Sequence, residues 1–149
     1  MEQSLLALLN ETNRAVIQYR GLYSRWSADR GISYHHQLVL YAIREQGFCT
    51  QKQLCDSYLL PKQTINHVFT DLRQRGLLVC DPARSSGREK AFVLSPEGEA
   101  WAQPLFQALE DMECSALARF GPDRLEDMTR SLREYSRALR QAMEEENER

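Results

Sequence analysis

Residues 59–79 read LLPKQTINHVFTDLRQRGLLV. Ile65, Val68, Phe69 and Leu72 recur at the i, i+3, i+4, i+7 spacing of one helix face. Pro61 stands where a first helical turn tolerates proline, and Gly76 where a helix stops. The opposite face carries Gln63, Asn66, His67, Thr70 and Gln74. These are amides, hydroxyls and an imidazole, without the glutamate–lysine mixture of an ordinary solvated helix. Such a face can be plain surface, or it can be built to exchange hydrogen bonds with another molecule. The flanking sequence favours the second reading.

Upstream, TQKQL at 50–54 pairs Thr50 with Gln53 as a capping box, so a short helix is expected over 51–57, joined to the next by the tight turn YLLP. Downstream, LLVCD (77–81) and KAFVL (90–94) have strand length. PARSSGRE between them reads as a flexible hairpin tip. Two helices across a tight turn, followed by a hairpin, make a winged helix-turn-helix.

Further out, residues 4–26 read as a long helix with apolar Leu5, Leu9, Val16, Tyr19, Tyr23 and Trp26, interrupted at Gly31. A second helix is expected over 34–45, with Leu38, Tyr41 and Ala42 inward and Gly47 ending it. Ser95–Pro96–Glu97 opens a long helix to about Phe120 that Pro104 should bend. After Gly121–Pro122, a last helix spaces Leu125, Met128, Leu132, Tyr135, Leu139 and Met143 like a coiled-coil seam. The expected fold is mainly α with a small β hairpin: a winged helix-turn-helix plus a helical dimerisation lobe. The terminal stripes exceed what a small winged core can cover. They either fold back on their own chain or pair with a second copy.

The 149 residues, 42% hydrophobic, suit one compact domain rather than a disordered chain. No apolar run approaches the ~18 residues of a membrane span, and the N-terminus has no basic leader, so a cytoplasmic protein is expected. Cys49, Cys55, Cys80 and Cys114 form no CxxC pair and no zinc-like spacing with histidine. They read as ordinary thiols or, alternatively, as redox sensors. His35 and His36 diverge by about 100° on a helix, which disfavours a shared metal site. No nucleophile elbow, P-loop or HExxH is present, so neither enzyme activity nor a cofactor is expected.

Net charge is −2, but its distribution is uneven. Residues 62–95 hold six basic and three acidic groups, while residues 96–149 hold seven basic and thirteen acidic. Positive charge gathers beside the polar helix, as in a nucleic-acid reader. On such a helix Gln63 and Asn66 can pair with adenine, and Lys62 with guanine or phosphate. Thr64, His67 and Thr70 lie alongside, and Arg84, Arg88 and Lys90 would place charge along the adjacent minor groove. A winged-helix module that binds protein is the alternative, disfavoured by that concentrated charge.

The chain resembles the MarR (multiple antibiotic resistance regulator) family of bacterial transcriptional regulators from its first helix to about Met143. The resemblance is most specific over 61–98: a helix ending in leucine–x–x–x–glycine–leucine, a wing, and Leu94, Ser95 and Gly98 at the entry to the next helix. It implies one MarR-like domain over 1–149, with a DNA-binding lobe over 34–95 and a dimerisation lobe from 1–30 and 96–146. It also implies a homodimer on a palindromic operator in double-stranded DNA, in most members a repressor released by a small ligand, often an aromatic acid, or by oxidation. By position, Arg88 matches the wing arginine, and Lys62, Gln63, Thr64, Asn66 and His67 fall on the base- and phosphate-contacting helix. The family's aspartate two residues before the wing arginine is Ser86 here, so the support it gives that arginine is not implied. The first helix has no cysteine, so the peroxide-sensing mechanism of some members does not transfer. Tyr19, Tyr23, His35, His36 and Trp101 are expected where the two lobes meet, either as plain packing or as an effector pocket with Arg20 or Arg25 as counter-charge.

Overall fold

A computed structural model describes residues 2–148. Its elements are α1 (Glu2–Ala28), α2 (Tyr34–Gln46), β1 (Cys49–Thr50), α3 (Gln51–Tyr58), α4 (Lys62–Gln74), β2 (Leu78–Ser86), β3 (Glu89–Leu94), α5 (Pro96–Phe120) and α6 (Pro122–Asn147). The chain divides into two compact units, one through Leu105 and one from Phe106 onward.

In the first unit, α3 and α4 are the expected helix pair. Thr50 caps α3 by accepting from the Gln53 backbone N–H at 3.1 Å. The reciprocal half of the expected box is not made. The Gln53 side chain donates to Gln46 Oε1 instead, and its own Oε1 is buried without a partner. Leu59 ends α3 in the left-handed region at φ 52, and Pro61, extended at ψ 136, precedes the first turn of α4.

Ile65, Val68, Phe69 and Leu72 are all buried, as their spacing predicts. The Phe69 ring meets Phe92 of β3 edge-on, with centroids 5.2 Å apart. That contact joins the helix pair to the wing.

α2 differs from expectation. Its buried residues are Gln37, Val39, Leu40, Ala42 and Ile43, whereas Leu38 is only half-buried and Tyr41 is exposed. Six consecutive apolar residues from 38 to 43 carry no readable period. Ser27 of α1 selects the face by donating from its buried Oγ to Gln37 Oε1 at 2.5 Å.

The sheet has three antiparallel strands, ordered β1-β3-β2, rather than the two of a hairpin. Cys49 and Thr50 pair with Phe92 and Ala91. The stretch read as a flexible tip is also different. β2 continues to Ser86, which pairs with Glu89, so the turn itself is only Gly87 and Arg88, with Gly87 at φ 54. Between Asp81 and Ser86 the ladder is irregular.

Side chains bracket that irregular stretch. Asp81 accepts from the Ala83 N–H and from Arg84, while Ser85 Oγ donates to the Asp81 carbonyl and accepts from the Ala91 N–H.

The join between β3 and α5 holds the C-terminal end of α4. Ser95 Oγ donates to the Gly76 carbonyl at 2.6 Å and accepts from the Gly98 N–H at 3.0 Å. α5 runs without interruption through Pro104. In the second unit no residue of α6 is buried: Leu132, Tyr135, Leu139 and Met143 all stand exposed. The same is true of Leu5, Leu6, Leu8, Leu9, Ile17 and Leu22 on α1.

Candidate nucleic-acid interface

At about 100° per residue, the four buried side chains of α4 define one side of the helix and leave three others. Gln63, His67, Thr70 and Gln74 share the outermost face, and all four are exposed. Lys62, Asn66 and Arg73 lie along one flank, and Asp71 along the flank opposite. The outermost face carries no formal charge when His67 is neutral, so its capacity is for hydrogen bonding. Asn66 Oδ1 sits 3.4 Å from Gln51 Nε2 of α3, a long contact that leaves the amide available. Thr64 is half-buried and is the least accessible of the helix residues expected to contact DNA.

The wing lies on the flank of Lys62 and Arg73. An open groove of ≈ 480 Å³ runs there, lined among others by Lys52, Lys62, Arg73, Arg88 and Lys90. Lys62, Arg88 and Lys90 are thus brought together as the sequence suggests. Arg84 is the exception. It donates to Asp81 Oδ2 at 2.6 Å and lies 5.5 Å from the Phe48 ring centroid, which spends much of its charge inside the wing. The pairing holds the Asp81 carboxyl below its ordinary range. Sequence reasoning missed Arg73, although its separation of eleven residues from Lys62 places both on one flank.

The expected effector residues fall into two groups. Tyr19 and Tyr23 meet edge-on on α1 at 5.3 Å, and Arg20 lies 5.8 Å from the Tyr34 ring, which adjoins His35. His36 belongs elsewhere. Its Nδ1 lies 2.7 Å from Ser33 Oγ and its Nε2 2.8 Å from Asp71 Oδ2, tying the N-terminus of α2 to α4. Asp71 also meets Arg75, whose guanidinium covers the Trp101 ring at 5.0 Å. His36 above all, and then Arg75, pull the Asp71 carboxyl below the usual carboxylate range.

The four cysteines are all free thiols. Burial pushes the Cys49 thiol up to about 12, which makes it a poor nucleophile. Among the described residues no helix is long and apolar enough to cross a membrane, and no cluster of His, Cys, Asp or Glu could hold a metal ion.

No protein-family model matches the sequence, and no curated protein does. Solved structures do. A MarR family regulator from Neisseria meningitidis superposes with a TM-score of 0.84 over 93% of this chain and 97% of that one, at 23% identity. Bordetella bronchiseptica BpsR, whose DNA binding is regulated by 6-hydroxynicotinic acid, gives 0.66 over 87% and 98%, at 23% identity. Staphylococcus aureus MarR, solved with salicylate and kanamycin, gives 0.69 over 94% and 95%, at 15% identity. The fold is therefore that of the MarR winged-helix regulators.

Proposed function

We propose that the chain is a MarR-family transcriptional regulator that binds DNA sequence-specifically as a homodimer in the cytoplasm, repressing a nearby operon until a small aromatic acid releases it. One observation carries the DNA reading: α4 turns an exposed, uncharged row of Gln63, His67, Thr70 and Gln74 outward, beside a wing whose Arg88 and Lys90 have no ion pair among the described residues. A helix with such a face enters the major groove, and the wing reaches the adjacent minor groove. The unburied stripes of α1 and α6 support pairing with a second copy, the arrangement that reads two half-sites of a palindrome. On this reading residues 34–95 bind DNA, while 1–30 and 96–146 dimerise. Tyr19, Tyr23 and Arg20 are the groups best placed for an aromatic anion. The structural neighbours regulated by 6-hydroxynicotinic acid or solved with salicylate set the class of effector to screen.

The test is selection of bound duplexes from a random library. A palindrome with half-sites about one helical turn apart should be enriched. Gln63→Ala and Asn66→Ala should each erase about 1–3 kcal/mol of discrimination while sparing weak binding to random duplex. Recovery of bound duplexes with no common sequence would overturn sequence-specific recognition.

A further inference from the structure

The groove beside α4 gathers basic side chains into one concavity. Beside it, Arg75 meets Asp71 and Arg84 meets Asp81. Within the groove Lys52 is matched too, by Asp56 at 2.6 Å. Lys62, Arg73, Arg88 and Lys90 have no ion pair among the described residues, though they share one concavity. Arg73 stacks 5.3 Å from the centroid of the buried Phe92 ring, which orients its guanidinium plane and leaves the fork of N–H donors open. Glu89 also lines the groove, and its Oε1 is buried with no hydrogen-bond partner.

A duplex has one sugar–phosphate backbone between its major groove and the adjacent minor groove. A protein with a helix in the first and a wing in the second must straddle that strand. The groove lies between α4 and the wing, with α3 along it. We infer that the groove carries the backbone strand, with Arg73 as its central phosphate ligand and Glu89 as a like charge that weakens the grip. This rests on the DNA-binding reading of α4 and the wing. The planar, bidentate donor set of arginine matches a phosphate, and stacking reduces the side-chain freedom lost on binding. Lys62 and Lys90 flank it from the helix and the wing.

Phosphate contacts act on any sequence, so the test needs no operator. The full chain is titrated with a mixed-sequence duplex at several salt concentrations. Arg73→Gln should bind more weakly, and its slope of log K against log salt should be shallower by about 0.9 per subunit. Arg75→Gln removes an equal charge outside the groove and should leave the slope nearly unchanged. Glu89→Gln should bind more tightly than the parent at every salt concentration. Thermal melts confirm that each variant is folded, and Glu89→Gln carries the test alone if Arg73→Gln is not. An unchanged slope in folded Arg73→Gln, or no tightening in Glu89→Gln, overturns the inference while the parent still binds duplex. A parent chain that binds no duplex at low salt overturns the DNA-binding reading itself.

Discussion

Gly98 sits in the first turn of α5, and helix propensity alone would favour alanine there by up to about 1 kcal/mol. The structure predicts the opposite. A Cβ built at Gly98 would lie 2.0 Å from the Leu77 carbonyl oxygen, 2.9 Å from its carbonyl carbon and 3.2 Å from its Cα. Relief requires backbone to move by roughly an ångström, and that backbone is pinned. The Leu77 N–H donates to Leu72 at 2.9 Å, and the Leu77 carbonyl accepts from Ser95 at 3.0 Å. Leu77 and Leu78 are also buried, so displacement disturbs core packing. Overpacking costs about 1–3 kcal/mol, and straining a buried hydrogen bond adds a comparable amount. After subtracting the propensity gain, Gly98→Ala should destabilise by about 2–4 kcal/mol. With a urea slope of about 1–3 kcal/mol per molar, the midpoint should fall by about 1–2 M. Circular dichroism of both chains at one protein concentration measures it. A midpoint equal to or above the parent's would refute the close-approach argument.

Ser95→Ala removes the bonds to Gly76 and Gly98 together, and should cost about 1–3 kcal/mol by the same urea measurement. Leu59→Gly relieves a left-handed leucine that is 76% exposed and has little packing to lose. It should raise the urea midpoint by the equivalent of about 1 kcal/mol, less glycine's entropy cost. The Asp71 carboxyl is depressed in the folded state, so its bridge to His36 adds stability above the unfolded carboxylate pKa, about pH 4, and loses it as pH falls through the lower folded value. Asp71→Asn should narrow its gap to the parent in acid melts below pH 4 and show the full gap near pH 6. A gap independent of pH would count against the bridge.

Much of the winged helix-turn-helix could be read from the chain because its signals are local. Ile65 to Leu72 repeat with helical period over a single buried face, and Gly47 and Gly76 adopt the positive φ that their positions suggest. Signals failed where partners distant in sequence decide the outcome. β1 has two residues, too few to show alternation, and exists because β3 passes beside it. Tyr41 looked like core because its neighbours are apolar, yet the Ser27–Gln37 bond accompanies a different buried face. PARSSGRE has the composition of a loop, and side-chain bonds from Asp81 and Ser85 make most of it a bulged strand. His36 looked available for a ligand, and only the fold shows it bonded to Asp71, thirty-five residues away. Arg73 was legible in principle from its helical phase with Lys62, but its meaning depends on the wing lying alongside.

The bracket at Asp81 and Ser85 bears on the thermodynamics of association. A disordered tip must surrender its conformational freedom when it meets a partner, at about 1–2 kcal/mol of backbone entropy per residue fixed. Residues 82–85 have already been immobilised during folding, by bonds that close within the wing. Contact with a duplex then draws little further ordering from this segment, so the opposing entropy should be small and the encounter less dependent on temperature than for a floppy arm. Loosening the bracket by Asp81→Ala should therefore weaken binding through entropy, visible by calorimetry, although Asp81 need never touch the DNA.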